Sequence, residues 1–198
     1  MGATELRAQA AARGGARRAE ATRALAGRAL AGAWARAYLV AWALTGSGAA
    51  GVAVGGSGVA GAVRATLGLT FAGAAPSAMH TLAIFAHNLP IAAWPMLLPP
   101  MGAHRSSRAR RVADALVVVS LAGNALPVGA ALGAYGVRVI PYLPQLPIEW
   151  AGLACGPAWW LLARRRALGA RGTAVWLAIT SALIAAAALV ETYLAGRA

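Results

Sequence analysis

The sequence predicts an all-α integral membrane protein, a helical bundle of about five transmembrane helices with its N-terminus inside and its C-terminus outside. Three observations predict it. Five long apolar stretches, at residues 38–63, 79–101, 112–134, 146–163 and 173–195, mostly approach or exceed the roughly 20 residues a helix needs to cross the hydrocarbon layer. Arginines alternate between the connections: Arg105, Arg108, Arg110 and Arg111 follow the second stretch, Arg164, Arg165, Arg166 and Arg171 follow the fourth, and the other two connections hold only Arg64 and Arg138. Basic connections stay on the cytoplasmic side, so this asymmetry sets the orientation. Finally, a chain of 198 residues with 60% hydrophobic content and five acidic residues has little polar surface with which to solvate a globule.

The net charge of +13 comes from arginine alone, since the chain has no lysine. Fifteen of the eighteen arginines fall in segments assigned to the cytoplasm. That distribution explains the basicity without nucleic acid and makes anionic lipid headgroups the nearer partner. The arginine, alanine and glycine bias is that of a GC-rich bacterial genome, and the expected location is the bacterial plasma membrane. A single cysteine, Cys155, excludes an intrachain disulfide. No cleavable signal peptide is expected, because the arginines of the first 30 residues precede no apolar core with a small-residue cleavage site.

In chain order, residues 1–32 form an Arg/Ala-rich cytoplasmic arm, and 33–198 form the transmembrane domain. The arm has high helix propensity on either side of a break at Gly14 and Gly15. With Leu6, Leu25 and Leu30 as its main apolar residues, it reads as an orientation-enforcing arm or a surface helix with a thin apolar face. The first span opens on an interfacial collar of Trp34, Arg36, Tyr38 and Trp42, then turns glycine-rich from Gly46 to Gly61. Gly51 and Gly55 make a small-xxx-small step for close helix packing, within the chain or with a second copy. The segment is long enough to tilt, or to break near Gly55 and Gly56. Pro76 and Ser77 lead into the second span, and Pro141 and Pro144 disfavour continuous helix through 136–145. The fourth span is short, so 138–163 is either a full span or partly re-entrant. Trp150, Trp159, Trp160 and Trp176 fall mostly near span ends, as belt residues do.

A polar pattern recurs three times: Asn88-Leu89-Pro90, Asn124-Ala125-Leu126-Pro127 and Gln145-Leu146-Pro147, the last running on to Glu149. Pro90 and Pro127 free the carbonyls of Ala86 and Gly123, and an asparagine amide suits such a group. Asn88 and Asn124 lie near mid-span and are expected either to join spans two and three or to line a cavity, as broken helices do in transporters. His80 and His87 are seven apart on one helix face, too few groups to predict a metal. Glu149 is costly inside a membrane; near a helix start it is eased by the dipole and by pairing, with Arg138 as the nearest cation. His87, Asn88, Asn124, Gln145 and Glu149 are thus the candidate intramembrane polar site. Glu191 is assigned to the outer interface, and Asp114 reads as a helix-start carboxylate beside Arg110 and Arg111.

No phosphate-cradling loop, His-Glu-x-x-His or Gly-x-Ser-x-Gly is present, and Ser120 has no histidine base in its own segment. No catalytic residue, cofactor or metal is predicted. From about 79 to 168 the chain resembles the stage II sporulation protein M family. The resemblance rests on Ile84-Phe85-Ala86-His87-Asn88, on Asn124 followed by 129–136, and above all on Leu143-Pro144-Gln145-Leu146-Pro147-Ile148-Glu149. That last run is similar to the family's Leu-Pro-His-Gly-x-x-Glu, with Gln145 and Leu146 replacing His and Gly. The resemblance implies a non-enzymatic membrane scaffold or anchor in a bacterial envelope complex, with other envelope proteins as partners and a homo-oligomer as one form. The other expectation is a permease-like subunit working with a separate ATPase.

Overall fold

The computed structural model describes the backbone of residues 3–69, 75–164 and 170–195, and the side chains of residues 27–69, 75–164 and 171–195. These residues form helix, turn and coil, with no strand. The helices are α1 (Ala3–Leu67), α2 (Ala78–Ala93), α3 (Ser107–Tyr135), α4 (Leu146–Leu153), α5 (Cys155–Ala163) and α6 (Ala170–Leu194). Short 3-10 segments follow α2 (Trp94–Leu97) and α3 (Gly136–Tyr142). Three helical stretches, Gly27–Leu67, Ser107–Tyr142 and Arg171–Leu194, are long and apolar enough to cross a membrane.

Local chemistry sets the ends. Ser77 Oγ accepts from the His80 amide at the start of α2, and Ser106 Oγ accepts from the Ala109 amide at the start of α3. Gly136 stops α3 with φ 60°, a conformation that side chains with a Cβ seldom take. The expected break in the first span is present, at Gly56, where φ 68° and ψ −161° interrupt an otherwise helical run. Gly14 and Gly15, in contrast, do not break α1: their intrinsic cost of roughly 1 kcal/mol each is small beside the alanine-rich helix around them. The second span is helical only to Ala93 and finishes as a 3-10 turn containing Pro95, which cannot donate to a continuing ladder.

Helices α4 and α5 form the centre. Pro157 has no N–H for the Leu153 carbonyl, and the helix is interrupted at Ala154, one turn earlier. Carbonyls beside the interruption take indole donors from both sides: Trp34 Nε1 donates to Ala151 O at 3.0 Å and Trp176 Nε1 to Cys155 O at 2.8 Å. Trp150, Trp159 and Trp160 are buried core residues here, not the belt expected from their positions near span ends. Trp150 Nε1 donates to Thr45 Oγ1 at 3.1 Å, and Trp160 Nε1 donates to Asp114 Oδ1 at 2.7 Å. The Trp150 and Trp160 rings can be buried because their polar atoms have partners.

Around this centre the helices alternate in direction. Thr45 meets Gly129 and Ala49 meets Gly133, so α1 and α3 run parallel. Asp114 meets Arg164 while Leu121 lies beside Leu153, so α3 opposes α4–α5. Trp176 meets Cys155 and Ile184 meets Gly152, so α6 also opposes them. Asn88 meets Glu149 and Ala92 meets Gly156, so α2 runs with them. Arg36, Arg108, Arg110, Arg111, Arg164 and Arg171 therefore collect at one end, leaving Arg64 and Arg138 at the other.

The α1–α3 seam is built from residues four apart, all of them small on the α1 side. Ala33, Ala37, Ala41 and Thr45 on α1 are buried, as are Ala113, Val117, Leu121, Ala125 and Gly129 on α3. A Cβ on Gly129 would overlap the Thr45 carbonyl, and one on Gly133 would fall 2.8 Å from the Ala49 carbonyl oxygen. Backbones in contact gain dispersion over their whole length, the main attraction left where lipid replaces water. Gly51 and Gly55 take no part in it. A Cβ on Gly51 would meet nothing within 4 Å, and Gly55 faces only Val59 of its own helix. The packing glycine of α1 is Gly48, whose Cβ would collide with the Leu126 carbonyl oxygen. Large apolar residues lie outside instead, among them Leu39, Val54, Leu82, Leu116, Val119, Val175 and Leu189. Small and aromatic residues inside with branched aliphatics outside is the arrangement expected of a bundle in an apolar medium.

Candidate functional site

A cavity of about 390 Å³ opens between α2, α4 and α6, lined by His80, Ala83, Ile84, His87, Asn88, Gln145, Glu149 and Glu191. Its position follows from the helix directions. The start of α2, the start of α4 and the end of α6 come together at the arginine-poor end of the molecule.

Each side chain arrives for a local reason. His80 and His87 are two turns apart on α2 and share its cavity face. Asn88, next to His87, donates from Nδ2 to Glu149 Oε1 at 3.1 Å, tying α2 to α4. Glu149 lies in the first turn of α4 behind Pro147, where the helix dipole favours a carboxylate. Gln145 precedes α4, and its Nε2 donates to Tyr142 O at 3.1 Å. Its Oε1 is buried without a hydrogen-bond partner.

Four of the five expected site residues thus wall one cavity: His87, Asn88, Gln145 and Glu149. Asn124 does not join them. Its Nδ2 donates to Ser120 O at 2.7 Å, one turn back in α3, beside a separate void of about 10 Å³. Asn88 and Asn124 consequently do not join spans two and three, because α4–α5 stands where they would meet and offers Asn88 the Glu149 carboxylate. Arg138 is exposed and is not the partner of Glu149. Among the described residues the ion pair is Arg164 Nη1 with Asp114 Oδ2 at 2.6 Å. Asp114 is therefore a clasp between α3 and α5, through Arg164 and Trp160, and not merely a helix-start charge.

Two titratable cavity residues, His80 and Glu191, are not among the five. His80 shares the helix face of His87, so the seven-residue spacing contained the signal. Glu191 had no such signal, because only the packing of α6 on α2 brings it inward. No group of three or more His, Cys, Asp or Glu side chains that could hold a metal is present among the described residues.

A second cavity, about 590 Å³, lies at the arginine-rich end between α1, α3 and α5. Its walls are Ala33, Ala37, Val40, Val117, Leu121 and Leu161, with Arg36, Asp114 and Arg164 among its polar lining. It is the counterpart in charge of the first.

Fold and site together define a helical protein with a membrane-compatible exterior and a polar, carboxylate-bearing cavity between helices. No family model, curated protein or solved structure matches the chain.

Proposed function

We propose that this chain is a five-pass protein of a bacterial plasma membrane, arginine-rich end inside, that acts as a non-enzymatic scaffold or anchor for other envelope proteins. The observation that carries this reading is the face of α1 between Gly51 and Gly61 that α3 leaves uncovered. Gly51, Gly58 and Gly61 have open space where a Cβ would stand, and Val54 is 89% exposed. A glycine face of that kind admits a second helix at close range. The centre of the bundle is meanwhile filled by Trp150, Trp160, Ile184, Thr180 and Cys155. Such a core suits a load-bearing bundle better than a conduit. The alternating helix directions and the segregated arginines support five passes with the N-terminal arginines inside. The run from Leu143 to Glu149 supports kinship with the stage II sporulation protein M family, whose sporulation member gathers peptidoglycan-degrading partners.

The polar cavity favours a second reading, a permease-like subunit coupled to an ATPase below the arginine loops. Purification from native membranes in mild detergent, with mass spectrometry of what co-purifies, separates the two. Stoichiometric envelope proteins such as cell-wall hydrolases are expected. A stoichiometric ATPase would replace the scaffold by the permease. Recovery of the chain alone would reject a hetero-complex and make Gly51 and Gly55 the first self-interface to test.

A further inference from the structure

The cavity of about 590 Å³ between α1, α3 and α5 joins a long apolar wall to two cations. On α1 the wall runs from Ala29 to Val40, about 16 Å of helix. Val40 and Val118, on its two sides, are both exposed, so the groove opens sideways onto the apolar exterior of the bundle. Its charged lining is Arg36, Asp114 and Arg164.

Those three charges are unequally matched. Trp160 Nε1 and Arg164 Nη1 donate to the two oxygens of Asp114, so each oxygen already has a donor. Among the described residues Arg36 is bridged to no carboxylate. The lining thus keeps one positive charge in excess. Depth makes that excess costly. Thr45 meets Gly129, and Gly48 meets Leu126 and Ala130. Carried back along both helices, this register sets Arg36 level with residues 118–120, about 6–9 Å deeper in the bundle than Asp114. Helical side chains lean toward the N-terminus, which aims the Arg36 guanidinium back toward Asp114 and Arg164. An arginine rooted at that depth in apolar surroundings is expensive unless an anion meets it.

We propose that this groove binds one anionic phospholipid, its phosphodiester held by Arg36 and Arg164 and one acyl chain laid along the wall from Ala37 to Val40. A phosphodiester carries one negative charge, which matches the excess on the lining. The planar guanidinium forks suit its two free oxygens, and Arg164 has N–H groups beyond the one given to Asp114. The headgroup must lack a cation of its own, because a trimethylammonium would sit among arginines. A soluble anion would leave the apolar wall uncovered, whereas an acyl chain enters from the side where Val40 and Val118 already face the hydrocarbon. The inference rests on the membrane reading of the chain and not on its role as a scaffold, since no partner protein decides it.

The test is native mass spectrometry of the full chain, purified in a neutral detergent and titrated with phosphatidylglycerol and phosphatidylcholine of identical acyl chains. Retention of one phosphatidylglycerol per chain is expected, at least about tenfold tighter than phosphatidylcholine. Arg36→Gln should weaken it at least about tenfold, whereas Arg108→Gln, at an exposed arginine outside the groove, should leave it unchanged. Val118→Trp fills the groove from an exposed position without altering charge, and should also expel the lipid. Equal retention of the two lipids, or equal losses in Arg36→Gln and Arg108→Gln, would overturn the proposal. Displacement by sn-glycerol 3-phosphate would make the occupant a soluble anion, and a lipid-free dimer would make it a second copy; either overturns the lipid site. Release of the chain from membranes by alkaline carbonate would overturn the membrane reading as well, so the two failures are told apart.

Discussion

At Asp114 one carboxylate serves two donors with different surroundings. Arg164 is partly exposed, so its ion pair is screened and contributes little alone, whereas the Trp160 ring is buried and its N–H has no other acceptor. Asp114→Ala should cost about 1–3 kcal/mol, mostly from the stranded indole, and Asp114→Asn should cost less because an amide oxygen can still accept. Arg164→Ala should cost less than either, and equilibrium unfolding in detergent mixtures ranks the three. A cost for Arg164→Ala equal to that of Asp114→Ala would show that the ion pair dominates after all. Asn88→Ala should cost about 0.6–2 kcal/mol by the same measurement, the range of interhelical polar bonds in apolar media. Residue types of this kind were legible in the sequence, but their partners were not. Asn88, Gln145 and Glu149 stood out because amides and carboxylates are expensive in apolar runs, yet nothing in one dimension pairs Asn88 with Glu149 or brings Glu191 beside them.

Between elements, the contrast worth testing is among three glycines of similar sequence context. Gly129→Ala places a methyl group against the Thr45 carbonyl, a backbone atom that cannot rotate aside, so α1 and α3 must separate. The expected cost is about 1–3 kcal/mol, the usual range for overpacking. Gly51→Ala meets open space and should leave the unfolding midpoint of the isolated chain unchanged or slightly raised, since alanine is the better helix former. Gly56→Ala meets no neighbour either, but at φ 68° and ψ −161° it forces a conformation close to glycine's alone, and should cost about 1–3 kcal/mol. Thermal unfolding of the three purified variants checks the order; a Gly51→Ala loss as large as that of Gly129→Ala would refute the seam described above. The break at Gly56 was foreseeable from the Gly55-Gly56 pair, because local flexibility is a local property. The true packing glycine was harder to read. Gly48 and Gly51 are both small residues in a glycine-rich run, and only the alanines every fourth position back to Ala33, matched on α3, select the face containing Gly48.

On the scale of the molecule, five apolar runs emerged as six α-helices among the described residues because Pro157 interrupts the fourth run at Ala154, while the alternation of direction that the arginines imply is preserved in the helix contacts. Composition made the helical class legible. The inward placement of Trp150, Trp159 and Trp160 was not, since a tryptophan near a span end fits a lipid interface or a neighbouring helix equally well until its N–H acceptor is known. Crossing itself can be measured with impermeant maleimide on intact cells. Cys155 is buried, so the unmodified chain is the blank, and single cysteines report their own side. Leu69→Cys and Val137→Cys occupy exposed positions at the arginine-poor end, and Arg108→Cys and Arg171→Cys occupy exposed positions at the other. Helix α3 has 29 residues, about 44 Å at 1.5 Å per residue, against a hydrocarbon layer of about 30 Å. Its two ends therefore cannot share a surface unless the helix lies flat. Labelling from outside is expected at Leu69 and Val137, with Arg108 and Arg171 reacting only after permeabilisation. Outside labelling at Arg171 together with Val137 would make α4–α5 re-entrant and leave four passes. Labelling of the arginine positions instead of Leu69 and Val137 would invert the molecule and place the Glu149 cavity on the cytoplasmic side.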